Sequence, residues 1–162
     1  MLRKISVLVV IILAITVVNS SVLRRPRIST HADRQCTSER GARGQAENTV
    51  LPSYPEEAKV EGPQGLVWAV VLFDQEGKLA KTRFLETPHA LLAEAVGHAL
   101  EEWKLKRLYN SGLEPIETQT AVRFHFIFEN GQGRVETATD EEQKEFGGEW
   151  GKRVCDRSAF DK

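Results

Sequence analysis

The chain has 162 residues, 41% of them hydrophobic and 28% charged, with a formal net charge of −1. That is enough apolar material for one ordinary globular domain. The near-neutral balance excludes the concentrated basic surface that a phosphate backbone requires, so no nucleic-acid partner is expected. The basic cluster Arg24-Arg25-Pro26-Arg27 suits lipid headgroups beside a membrane segment instead.

In chain order, the first feature is an apolar run from Ile5 to Val18, broken only by Ser6 and Thr16 and preceded by Arg3 and Lys4. Carried through Leu23 it approaches the ~20 residues that span a bilayer; ended at Val18 it has signal-peptide proportions. Residues 1–23 are therefore read as a membrane anchor or signal segment, and the globular part as exported. Residues 24–50 are polar and aperiodic and read as a flexible linker. Residues 51–130 hold the expected domain, and residues 131–162 read as a charged tail with one short helix capped by Thr139 and Glu142.

Within the domain, Ser53-Tyr54-Pro55-Glu56-Glu57-Ala58 looks like a short helix start, stopped by Gly62-Pro63. Val67, Ala69, Val71 and Phe73 alternate with Leu66, Trp68, Val70 and Leu72. The turn Asp74-Gln75-Glu76-Gly77 leads to a second extended run, Leu79 to Glu86, which predicts a β-hairpin. Thr87-Pro88 fits an N-cap and first helical position, and Leu92, Val96, Ala99 and Trp103 fall on one face, so a helix is expected over Pro88–Lys104. Lys104 to Pro115 reads as a loop. Val122, Phe124, Phe126 and Phe128 then alternate with Arg123, His125 and Ile127 in a third strand, broken at Glu129-Asn130-Gly131.

These elements predict an α+β fold: a three-stranded antiparallel sheet with one main helix packed on it. The expected core is Val67, Ala69, Val71, Phe73, Phe84, Leu92, Val96, Trp103, Val122, Phe124 and Phe126. The first strand is apolar on both faces, and one helix covers only one. The other needs the tail with Phe146 and Trp150, the Tyr54 segment, or a homodimer or partner surface.

No catalytic constellation is present. His31, His89, His98 and His125 lack metal-ligand spacing, and neither a nucleophile elbow nor a phosphate-binding loop occurs, so no enzyme, metal or cofactor is expected. The two cysteines, Cys36 and Cys155, could pair in an oxidising compartment. Because no strand-like run follows the third strand, one of its edges is expected to be open, a template for an extended peptide. The candidate partner-binding residues are Thr120, Ala121, Val122, Arg123, Phe124, His125 and Phe126, with Arg123 and His125 facing outward.

The order of elements, carried by Tyr54-Pro55, Gly65, the turn ending at Gly77, Trp103-Lys104-Leu105 and the Val122/Phe124/Phe126 strand, resembles the C-terminal domain of the TonB/TolA-like energy transducers over roughly residues 53 to 130. The resemblance implies a single-pass inner-membrane protein with its C-terminal domain in the periplasm. It implies coupling of an ExbB–ExbD-type motor to outer-membrane receptors, whose peptides bind by strand addition. The alternative is a periplasmic binding or scaffold module with the same fold and no motor, soluble if the N-terminal segment is cleaved.

Overall fold

The computed structural model describes residues 33–137, 154–156 and 160. The apolar segment at 5–23, the Thr139 helix, Phe146 and Trp150 lie outside the described residues. Among those described, no helix is long and apolar enough to cross a membrane.

The fold is α+β. Strands β1 (Arg34–Cys36), β2 (Ala46–Asn48), β3 (Gly65–Phe73), β4 (Leu79–Glu86), β5 (Lys104–Leu105), β6 (Leu108–Tyr109), β7 (Pro115–Glu129) and β8 (Gln132–Thr137) accompany helices α1 (Glu39–Gly44) and α2 (Ala90–Glu101). Rather than three strands, the main sheet has six among the described residues: the order is β1-β7-β3-β4, with β6 and β8 also pairing with β7, while β2 and β5 form a separate ribbon. Residues 34–48 are thus strand, helix and strand, not linker, and Gln132–Thr137 is a strand, not tail.

The predicted hairpin is present as β3 and β4. Its turn is closed by the Asp74 carboxylate, which accepts from the N–H groups of Glu76 (2.9 Å) and Lys78 (2.8 Å). Gly77 is required twice over, because its φ is +79° and a Cβ there would lie 2.0 Å from the Leu105 carbonyl oxygen. The main helix is shorter than its apolar stripe. His89, not Thr87, is the cap, with Nδ1 accepting from the Leu91 N–H at 3.2 Å, and the chain leaves the helix after Glu101 to form β5. The Tyr54-Pro55 segment leads into a single 3₁₀ turn, Glu57–Val60, rather than an α-helix.

The apolar face of α2 packs with β3 and β7 in a core of Val67, Ala69, Val71, Phe73, Leu92, Val96, Trp103, Val122, Phe124 and Phe126. Phe84 is the exception at 36% exposure, since β4 is the terminal strand and its register shifts beside Ala69, Phe84's partner. On the opposite face, Trp68, Val70, Leu72 and Ala121 are covered by Val154 and Phe160. The tail therefore supplies the second cover, and Tyr54 belongs to the first core. The tail is held by the Cys36–Cys155 disulfide (Cα–Cα 5.5 Å), by the Gln119 Nε2–H donating to the Val154 carbonyl, and by Lys81 Nζ donating to the Phe160 carbonyl at 3.1 Å.

Candidate partner-binding edge

The fifteen residues of β7 make it the longest strand described, and its alternation sorts its side chains between the two cores. The position of the sequence-derived site is different from the expected one. On one side β7 pairs with β3 from Gly65↔Phe126 to Phe73↔Thr118. On the other, β1 runs parallel to Glu117–Gln119, and β8 pairs antiparallel from Phe124↔Thr137 to Glu129↔Gln132. Thr120, Ala121, Val122, Arg123, Phe124 and Phe126 are buried, and of the seven only His125 is exposed. Arg123 does not reach outward. Its guanidinium lies over the Trp68 ring, 5.5 Å from the centroid, because the second sheet face is covered rather than solvated.

The gap between β1 and β8 is filled by α1. Ser38 caps that helix by accepting from the Gly41 N–H at 3.2 Å, which sets Glu39 against β7. Glu39 Oε2 accepts the backbone N–H of Arg123 (3.2 Å), and Oε1 accepts from Arg43 Nε (3.0 Å) and Nη2 (2.7 Å). Burial raises the Glu39 carboxyl above the usual range, while the Arg43 hydrogen bond and the charges of Arg43 and Arg123 pull it back. Arg43 in turn stacks over Trp103, 4.7 Å from its centroid. A carboxylate thus substitutes for a strand at the edge of β7.

The sheet has other edges. β4 carries Lys81 and Arg83 and two register irregularities, both devices that blunt edge pairing. β8 is regular through all six of its pairs and contains no proline. It is joined to β7 by Asn130-Gly131, both at positive φ (53° and 76°), which is the two-residue turn that matches strand twist. Arg123 offers its N–H to Glu39, so alternate β7 residues 125, 127 and 129 exchange bonds with residues 136, 134 and 132. The backbone groups of Gly133, Val135 and Thr137 consequently point away from β7, toward an edge with no strand partner among the described residues.

That edge is shaped by the Tyr-Pro motif. The Tyr54 ring packs on Phe126 (centroids 6.1 Å) and Phe128 (5.4 Å), its hydroxyl donates to the Pro63 carbonyl at 2.6 Å, and it lies so close over Gly133 that a Cβ there would be 2.0 Å from Cγ. Among the described residues, no group of three or more His, Cys, Asp or Glu side chains could hold a metal. Sequence reasoning missed β8, Glu39 and the seat of Tyr54; the Asn130-Gly131 pair was the available signal for the first.

Among solved structures, the chain is similar to the solution NMR structure of the Pseudomonas aeruginosa TonB CTD. The identity is 21% and the TM-score 0.43, and the match covers 55% of this chain and 88% of that one. No protein-family model matches, and no curated protein matches.

Proposed function

We propose that this domain is a non-enzymatic recognition module of the cell envelope that takes an extended peptide of a partner protein along the outer edge of β8. The supporting observation is the outward-facing backbone of Gly133, Val135 and Thr137 on a regular, proline-free terminal strand. Main-chain pairing there would supply affinity, and Tyr54, seated over Gly133, would border the added strand. The partner favoured is the one the sequence resemblance implies, a periplasm-facing segment of an outer-membrane receptor. Coupling of that binding to an ExbB–ExbD-type motor would run through residues 5–23.

The test is a titration of isotopically labelled protein with overlapping receptor peptides, read by amide shifts and exchange. The amides of Gly133, Val135 and Thr137 are expected to shift and gain protection. Thr137→Pro, at an exposed position, removes one outward donor and should weaken capture about fivefold or more with the circular dichroism spectrum retained. Shifts confined to other elements, or undiminished capture by the folded variant, would show that the peptide binds elsewhere.

A further inference from the structure

A second surface lies away from β8, where the segment Val50–Pro55 crosses α2. Its wall is fixed by three side-chain hydrogen bonds. Trp103 Nε1–H donates to the Val50 carbonyl (2.8 Å), Asn48 Nδ2 donates to the Glu102 carbonyl (3.0 Å), and the Tyr54 hydroxyl holds the far end at Pro63 (2.6 Å). Between this wall and α2 is a groove of about 560 Å³, within the range of preformed binding clefts. Leu91, Ala95 and Ala99 form its floor on successive turns of the helix, and Leu51, 52% exposed, overhangs it from the wall.

The ionisable groups of the groove are of nearly one kind. Glu57 stands on the wall side, Glu94 and Glu102 on the helix side, and no lysine or arginine lines it. His98, between the two helix carboxylates, faces Glu94 (Nε2 to Oε1, 3.8 Å) and Glu101 (Nδ1 to Oε2, 3.7 Å). An apolar floor with a rim of separated carboxylates complements an apolar side chain flanked by cations.

The spacing defines the ligand further. Glu94 and Glu102 are eight positions apart, about 12 Å along a helix. In an extended peptide, residues i and i+4 are about 13 Å apart and point the same way as i+2. We propose that this groove binds an extended segment of a partner protein carrying two basic residues four positions apart with an apolar residue midway. The basic groups meet Glu94 and Glu102, and the central side chain rests on Ala95 and Ala99 under Leu51.

The probe is a fluorescein-labelled peptide with the central sequence Lys-Ser-Leu-Ser-Lys, titrated with the oxidised full-length chain and read by anisotropy. Binding is expected to weaken with added salt. It should fall about fivefold in Glu94→Gln/Glu102→Gln, which removes two exposed ion pairs. It should fall at least tenfold in Ala95→Lys, which places a cation on the floor while keeping a strong helix former. Peptides with glutamate in place of lysine, or with serine in place of leucine, should bind at least fivefold more weakly. The inference is overturned by no binding at millimolar protein, by equal binding of the glutamate peptide, or by unchanged binding to both variants when each keeps the parent circular dichroism spectrum. Binding unaffected by Thr137→Pro separates this groove from the β8 edge; loss in that variant would assign the peptide to the edge and refute the groove.

Discussion

Replacing Gly133 by alanine isolates the contact that joins the Tyr-Pro segment to the last strand. In a strand interior this change ordinarily stabilises, by about 0.4–1 kcal/mol, since it restricts the unfolded chain. Here the added methyl would stand 2.0, 2.4 and 2.5 Å from three ring atoms of Tyr54. The ring has no easy retreat, because its hydroxyl is bonded to Pro63 and the ring packs against Phe126 and Phe128. Overpacking of a tight core costs about 1–3 kcal/mol, and loss of the tyrosine hydrogen bond adds about 0.5–1.5. After the unfolded-state gain, the net loss should be about 0.5–4 kcal/mol, centred near 2. Urea denaturation followed by tryptophan fluorescence reads this as a midpoint lowered by about 1–2 M at constant slope. The control is Tyr54→Ala, destabilising by itself by about 3–5 kcal/mol. In that background Gly133→Ala should be neutral or stabilising. A single variant within 0.5 kcal/mol of the parent, or a penalty that persists without the ring, would refute the assignment.

Two further outcomes follow from the second face and from α1. Cys36→Ser/Cys155→Ser opens a loop of 119 residues and should cost about 2–5 kcal/mol, with increased binding of a hydrophobic dye as Val154 and Phe160 leave Trp68, Val70 and Leu72; an unchanged melting temperature and dye signal would contradict it. Because burial raises the Glu39 carboxyl, the folded chain holds that proton more tightly than the unfolded one. This contribution to stability is complete below the ordinary glutamate range and is lost as pH rises through the raised value. Glu39→Gln should flatten that dependence in urea midpoints measured from pH 4 to pH 8, and a parallel profile would exclude Glu39 as its source.

Elements whose own sequence carries a period were legible. Strand β3, the stripe of α2 and the alternation of Val122, Phe124 and Phe126 bury the residues expected, because each buries one continuous apolar set, whereas Phe84 on β4 stays exposed. Elements that borrow stability from elsewhere were not. Strand β8 contains one large apolar residue, Val135, and is held by its ladder to β7 and the Tyr54 ring. Residues 34–48 lack an apolar period, since their anchors are the Glu39 and Arg43 bonds, Ala42, and the disulfide. The candidate site was misplaced for the same reason. Alternation put Thr120 to Phe126 in a strand, but pattern alone does not reveal that a parallel strand, a carboxylate and a polar hairpin occupy its second side. The outward placement of Arg123 assumed a solvated second face, and Trp68, Val154 and Phe160 make that face a core.

The long reach of the Cys36–Cys155 bridge bears on the order in which the domain forms. The β3–β4 and β7–β8 pairings and α2 close over short turns, whereas Arg34 meets Glu117 across 83 positions and Cys36 meets Cys155 across 119. Long closures carry a larger entropic cost, so the β3–β4 and β7–β8 hairpins are expected to form before β1 docks in parallel beside β7. The two thiols are expected to come together once β1 and the tail have both reached the Trp68 face. On that order, oxidation would lock a completed structure instead of guiding its assembly, and both thiols would remain trappable during refolding of the reduced chain until the last packing step.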